Sequence, residues 1–268
     1  MKNFNEFVNE KLKISDDSIK NQPKREKIKI ASKDILIKTI VERLSNSNYD
    51  LNDLDVSEII DMSNLFVNIS YRIYGSFSEN IESVEIDEWD VSNVKNMSHM
   101  FTDYKKFNCD LSSWNVSNVE DMREMFNGCE SFEGDGLSFW NVENCTRMKK
   151  MFYGCKNFNA DLSRWNVDKC TDFSHMFFDC ENFDASLSGW NVSGGENFRS
   201  MFYNCKKFNS DLSSWNISKA DDLSYMFSKC IKFNQNLDKW KIKEGASTSF
   251  MFRQCGMKKL PKWFERDK

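Results

Sequence analysis

Long apolar runs are missing from this 268-residue sequence. No stretch approaches the ~20 residues of a membrane helix, and the N-terminal MKNFNEFVNEKL lacks the continuous apolar core of a secretory leader. The chain is therefore expected to carry no membrane segment and to be non-secreted. Histidine is nearly absent: His99 and His175 are the only two, and no C-x-x-C pair or Cys/His cluster occurs, so a metal site is not expected. No G-x-x-x-x-G-K-[ST], G-x-G-x-x-G or G-x-S-x-G string is present, which removes support for phosphate cradles and nucleophile elbows. Each His follows a Ser, but sequence neighbours on one helix face different ways, so Ser98-His99 and Ser174-His175 do not make a hydrolase pair; solvent-facing histidines are expected. No catalytic residue and no cofactor is predicted. A strong charge of one sign is also lacking, since the formal net charge is only -4, and no nucleic-acid partner is expected. Nine Cys without a leader read as thiols of a reducing compartment, the cytoplasm.

What is present is a beat. Trp89, Trp114, Trp140, Trp165, Trp190, Trp215 and Trp240 recur at near-constant spacing, and LSSWNVSNVEDMREMFNGC from Leu111 to Cys129 is a clear copy of the unit. A fixed period of this size means stacked supersecondary units in which each touches only its neighbours. With 40% apolar and 14% aromatic residues, the chain has enough apolar mass for a continuous core.

Within the unit, Leu111, Trp114 and Val116 have the L-x-x-L-x-L spacing of a leucine-rich repeat. The last two are placed to point inward from a short strand. Met122, Met125, Phe126 and Cys129 then fall at i, i+3, i+4 and i+7, which predicts a short helix. Strand, helix and return to a parallel strand give the expected fold class: an α/β leucine-rich-repeat-like solenoid, with parallel strands on one face and short helices on the other, in about eight 25-residue units. The expected organisation is a short helix and linker over residues 1–30, a helical cap over 31–50, the repeat body over 51–256 and a C-terminal cap over 257–268. In the N-terminal cap, Ile37, Ile40, Val41 and Leu44 form a helical stripe with Ser32 or Asp34 as N-cap. The first unit is degenerate, with Leu54 in the Trp slot and an insertion around Tyr71 to Asn80. Cys129, Cys155, Cys180, Cys205, Cys230 and Cys255 share one slot on the apolar stripe and read as buried thiols.

The string W-N-V-S-x-x-x-D-M-x-x-M-F-x-x-C-x-x-F-N-x-D-L-S over about residues 51 to 256 resembles the BspA-like leucine-rich-repeat family, the short-period branch common in Mycoplasma and gut bacterial surface proteins. The resemblance implies a non-enzymatic protein with a role in adhesion or protein binding; a surface adhesin would need an export signal that this sequence does not display. At the N-terminus, Met1, Lys2, Phe4, Glu6 and Phe7, followed by Val8-Asn9-Glu10, resemble the capsid-targeting tags of internal head proteins of large tailed bacteriophages. That resemblance implies a packaged or structural particle protein processed after Glu10. A frayed amphipathic helix is the other reading of the same residues.

The candidate binding residues lie beside the Trp beat. Asn115, Asn141, Asn166, Asn191 and Asn216 follow the Trp and by alternation face outward, with Asp90 and Lys241 at the two ends of the column. They form either an amide ladder along the stack or the floor of a polar recognition face. Flanking charge drifts from Asp87, Glu88 and Asp90 to Lys239, Lys241 and Lys243. Phe139 takes a slot filled by Ser113, Arg164, Gly189 or Ser214 elsewhere, and it sits in the unit with an extra residue near Gly134 to Gly136. An aromatic beside an Arg is either a hot spot for a protein partner of unknown identity or a ring lying over an irregular turn.

Overall fold

The computed structural model describes residues 26–75 and 81–264. The amphipathic helix or tag expected in residues 1–12 lies outside them, as does most of the linker.

The chain enters through a short strand, β1 (Ile28–Lys29), that pairs in parallel with β2 (Leu54–Asp55), Ile28 opposite Leu54. Between them runs α1 (Lys33–Ser45). Of the two candidate caps, Ser32 starts it, its side-chain oxygen accepting from the Ile35 amide at 3.3 Å. Leu36, Ile37, Ile40 and Leu44 form the buried stripe. A second helix, α2 (Leu65–Tyr74), begins on the last apolar residues of the first unit and runs into the start of the expected insertion, packs against α1 and ends at Gly75 with φ 68°.

From residue 81 onward the expected helix of each unit is replaced by consecutive turns. In the Leu111 copy the amides of Trp114, Val119, Met125, Cys129 and Phe132 donate to the carbonyls three residues back, those of Leu111, Val116, Met122, Phe126 and Cys129. Each such turn returns the chain to the core, so apolar residues three or four apart are buried without a helix. Two left-handed residues per unit prevent one from forming: Glu124 (φ 55°) and Gly128 (φ 76°) here, His175 (φ 58°) and Asp179 (φ 59°) two units on. They turn alternate amides out of the unit and towards the next. Met122, Glu124, Phe126 and Gly128 donate to the carbonyls of Arg147, Lys149, Met151 and Tyr153 at 2.7–3.0 Å. The pattern recurs, with Phe177 donating to Met201 and Phe227 to Met251. All these amides point one way along the stack, and the carbonyls that receive them point back.

From Trp89 onward the expected strand at Trp-Asn-Val is likewise absent; only the degenerate first unit, with Leu54 in the Trp slot, keeps it as β2. Parallel pairing between units is confined to single-residue bridges at another slot, such as Asn96 with Asp121, Asp121 with Arg147 and Asp172 with Asn197.

Stacking places like residue on like. From Trp89 to Trp215 consecutive indoles lie 6.3–6.5 Å apart between centroids and within 4° of parallel. Each indole N–H also donates to the Leu or Ile carbonyl of the unit before, as Trp165 does to Leu137 at 2.8 Å and Trp190 to Leu162 at 2.9 Å. That bond is why the slot holds Trp rather than another large apolar residue: a buried donor needs a partner. Phe101, Phe126, Phe152, Phe177, Phe202, Phe227 and Phe252 make a second column at 5.5–5.8 Å. At ~25 cal/mol per Å² and ~150–250 Å² per ring, these columns are the main source of stability.

The cysteines form no disulfide, and all but Cys255 are buried. Cys155, Cys180, Cys205 and Cys230 donate from Sγ to a Phe carbonyl of the preceding unit at 2.7–2.9 Å. Burial pushes the thiols up, Cys145 and Cys170 to about 12.

Candidate functional site

The outward column next to the Trp beat owes its exposure to turns. Asn115, Asn141, Asn166, Asn191 and Asn216 are all exposed. Each Oδ1 accepts from the backbone amide two residues on, at 3.1–3.2 Å. The Asn side chain thereby closes its own turn, which lets the chain pass from the buried Trp to the buried Val or Ile. The amide ladder along the stack is therefore not made by these residues. It occurs three positions later: Asn93, Asn118 and Asn144 donate from Nδ2 to the carbonyls of Ser57, Ser92 and Ser117 in the unit before, at 2.7–2.9 Å. Lys169 then takes over the slot and donates to Asn144 at 2.8 Å. Among the described residues the Nδ2 groups of the five column asparagines donate to nothing, and they remain available at the surface.

Phe139 is the most exposed large apolar side chain described, at 71%. Its position is set by the irregular loop before it. Gly134 (φ 93°) and Gly136 (φ 86°) adopt left-handed conformations. A Cβ on Gly136 would sit 2.2 Å from the Ser112 amide nitrogen, and one on Gly134 2.6 Å from the Phe158 ring. These close approaches feed a 3₁₀ turn, Leu137–Phe139, that buries Leu137 and leaves Phe139 outside. Arg164 is exposed in the same slot of the following unit, and the two units are in register, since Trp140 and Trp165 stack at 6.3 Å.

Beside this pair lies a hollow of about 370 Å³ lined by Glu133, Asp135, Ser138, Asn159 and Asp161 among others. Hydrogen bonds from the amide and hydroxyl of Ser163 hold the Asp161 carboxyl below the usual range, with Arg164 adding to the effect. Sequence reasoning named Phe139 and Arg164 but missed the acidic hollow; the Gly-Asp-Gly insertion was the signal that could have led to it.

The histidines are half-buried rather than turned fully to solvent. His99 lies 3.6 Å from Glu124. His175 has an unpartnered buried Nδ1, and burial together with Lys150, Arg199 and Lys149 holds it below its ordinary value. Among the described residues no group of three or more His, Cys, Asp or Glu is placed to hold a metal ion, and no helix is long and apolar enough to cross a membrane.

The geometry defines a repeat protein whose units are chains of turns joined edge to edge, with a polar outer surface over an aromatic core. The chain belongs to the family described as Mycoplasma protein of unknown function, DUF285, which matches residues 36–163, 129–240 and 154–263. No curated protein matches it.

Proposed function

We propose that the chain is a non-enzymatic protein-binding scaffold, a solenoid of the BspA-like leucine-rich-repeat kind, that takes a macromolecular partner on the polar face centred on Phe139 and Arg164. The supporting observation is Phe139 itself. An aromatic ring 71% exposed, in a slot that holds Glu, Ser, Arg, Gly or Lys before the other Trp residues of the beat, costs solubility and adds nothing to the core beneath it. Aromatic and Arg side chains are the residues in which interface energy concentrates. The outward amides of Asn115, Asn141, Asn166, Asn191 and Asn216 extend the face on both sides with hydrogen-bond donors, and the acid-lined hollow suits a partner cation next to an apolar side chain.

The test is capture of partners from the native source on the full chain, with Phe139→Ala and Arg164→Ala alongside. Both substitutions are expected to weaken capture by about tenfold or more while leaving the melting temperature unchanged. Normal binding by both variants to an identified partner would contradict the proposed centre.

A second reading, packaging in a bacteriophage particle, rests on the Met1 to Glu10 pattern alone. Intact-mass measurement on the native protein decides it: a chain beginning at Lys11 supports packaging, and one beginning at Met1 opposes it.

A further inference from the structure

We propose that the C-terminal end of the stack is a docking edge for an extended acidic segment of a partner protein, which adds to the column as its next rung.

The forward bonds from alternate amides of one unit to carbonyls of the next have no continuation at this end, although other amides, such as that of Gly256 to Cys230, bond back to the unit before. Phe227 and Lys229 donate to Met251 and Arg253 of the last unit at 3.0 and 2.8 Å. The residues of the last unit in the same two slots, Phe252 and Gln254, have amides with no acceptor among the described residues. These two N–H groups are two residues apart, the spacing at which Met251 and Arg253 present their carbonyls to the unit before. An extended backbone offering carbonyls at that spacing continues the bonding, as strand addition does at a sheet edge.

The apolar columns are only partly covered at the same place, where Phe264 lies edge-on to Phe252 at 5.0 Å. Phe227 and Cys230 are fully buried, whereas Phe252 and Cys255 are only partly so, and Trp263 and Phe264 are half-buried. Phe252, Arg253, Met257, Leu260 and Phe264 are among the residues that line a hollow of about 480 Å³.

Charge then selects the occupant. Residues 229–264 hold nine Lys and Arg against two Asp and Glu, in a chain whose net charge is -4. Arg253, Lys258 and Lys259 are exposed, and among the described residues none of them forms an ion pair. Aligned amide dipoles with their positive ends at this face act in the same sense. A second copy of the chain fits poorly. Meeting end to end in the same sense would set donors against donors and cations against cations, and the opposite end is covered by β1 and α1. An acidic segment with apolar side chains meets all three features.

The full chain would be titrated by fluorescence anisotropy with fluorescein-labelled Gly-Glu-Leu-Glu-Phe-Glu-Leu-Glu-Gly and with the same peptide carrying Lys for Glu. The acidic peptide is expected to bind about tenfold tighter or more, less so above about 0.15 M salt, and to slow hydrogen exchange at Phe252 and Gln254. The double substitution Arg253→Glu with Lys259→Glu, both exposed, should weaken it at least about tenfold. Lys239→Glu with Lys241→Glu, an equal charge change away from the end, should alter it by less than about twofold. Equal affinity for the two peptides, equal weakening by the two double variants, or no added protection at Phe252 and Gln254 would overturn the proposal. So would a dimer in sedimentation with those amides already protected.

Discussion

The two ends of the stack are built from opposite materials. At the N-terminal end the units are acidic: residues 50–64 contain five Asp and Glu and no Lys or Arg. The cap supplies the cations. Lys27 reaches Glu88 at 3.4 Å, Lys29 reaches Glu58 at 2.7 Å, Lys33 reaches Asp61 at 3.2 Å and Arg43 reaches Asp53 at 2.7 Å. β1 adds backbone bonds, and α1 covers the apolar layer with Leu36, Ile37 and Ile40. The C-terminal end has basic units, half-buried rings and unmet amides. A repeat column needs its last hydrophobic face covered and its last polar groups bonded; one end meets both needs from its own chain and the other meets them only in part.

The largest effect that sharpens this contrast is on stability. Trp165→Ala removes a ring stacked on both sides and an indole bond, and should cost about 3–5 kcal/mol by urea denaturation. Trp263→Ala removes a half-buried ring stacked on Trp240 at one side only, so its cost should be clearly smaller. Equal costs would mean that the end is as well packed as the middle.

Acid should separate the ends next. At Asp55 the bonds from Ser57, side chain before backbone, hold the carboxyl low. At Asp61 burial pushes upward, but the bonds from Ser63 and Lys33 outweigh it and the net shift is downward. A carboxyl depressed in the folded state stabilises above its unfolded value, near about 4, and that contribution is lost as pH falls towards the folded value. Asp61 is exposed and Asp55 partly so, so the effect is modest and screened by salt. The protection factors of the Ile28 and Ile30 amides, which donate to the backbone carbonyls of Asp53 and Asp55, corrected for the intrinsic exchange rate at each pH, should fall between about pH 5 and 3, before those of the last units. Simultaneous loss at both ends would contradict the ion-paired cap.

The smallest effect is chemical. Burial pushes Cys255 up to about 11, and the ladder thiols inside the stack are raised as well and fully buried. At pH 8 a maleimide should label Cys255 before Cys180 or Cys205, read by peptide mass, because Cys255 alone is partly exposed. Labelling of the inner thiols at the same rate would show that the units open.

The sequence made much of this legible, and its failures have a common cause. The Trp beat, the buried thiols, the Ser32 cap and the exposed Phe139 follow from periodicity and from slots that break it. The helix expected from Met122, Met125, Phe126 and Cys129 did not form because a run of three-residue turns buries the same positions. Hydrophobic spacing cannot separate the two. What separates them is the pair of left-handed slots four residues apart, one of which holds Asp103, Gly128, Gly154, Asp179 and Asn204, residues that tolerate that conformation, before Lys229 and Gln254 occupy it in the last two units. The Asn column misled in a similar way. An Asn two residues before a Ser signals a self-closing turn as readily as a ladder, and Asn115 with Ser117 makes the turn. The Gly-Asp-Gly insertion marks the place of the acidic hollow beside Phe139 but not its shape, which depends on how the Gly134–Gly136 loop lies against the next unit.

The central claim is that alternate amides bond forward from unit to unit and run out at the last one. Hydrogen exchange followed residue by residue tests it directly. Phe126, Phe152, Phe177, Phe202 and Phe227, equivalent positions in successive units, should exchange slowly, with Phe252 at the same slot and Gln254 exchanging orders of magnitude faster. Uniform protection through Phe252, or fast exchange at Phe152 and Phe177, would contradict it.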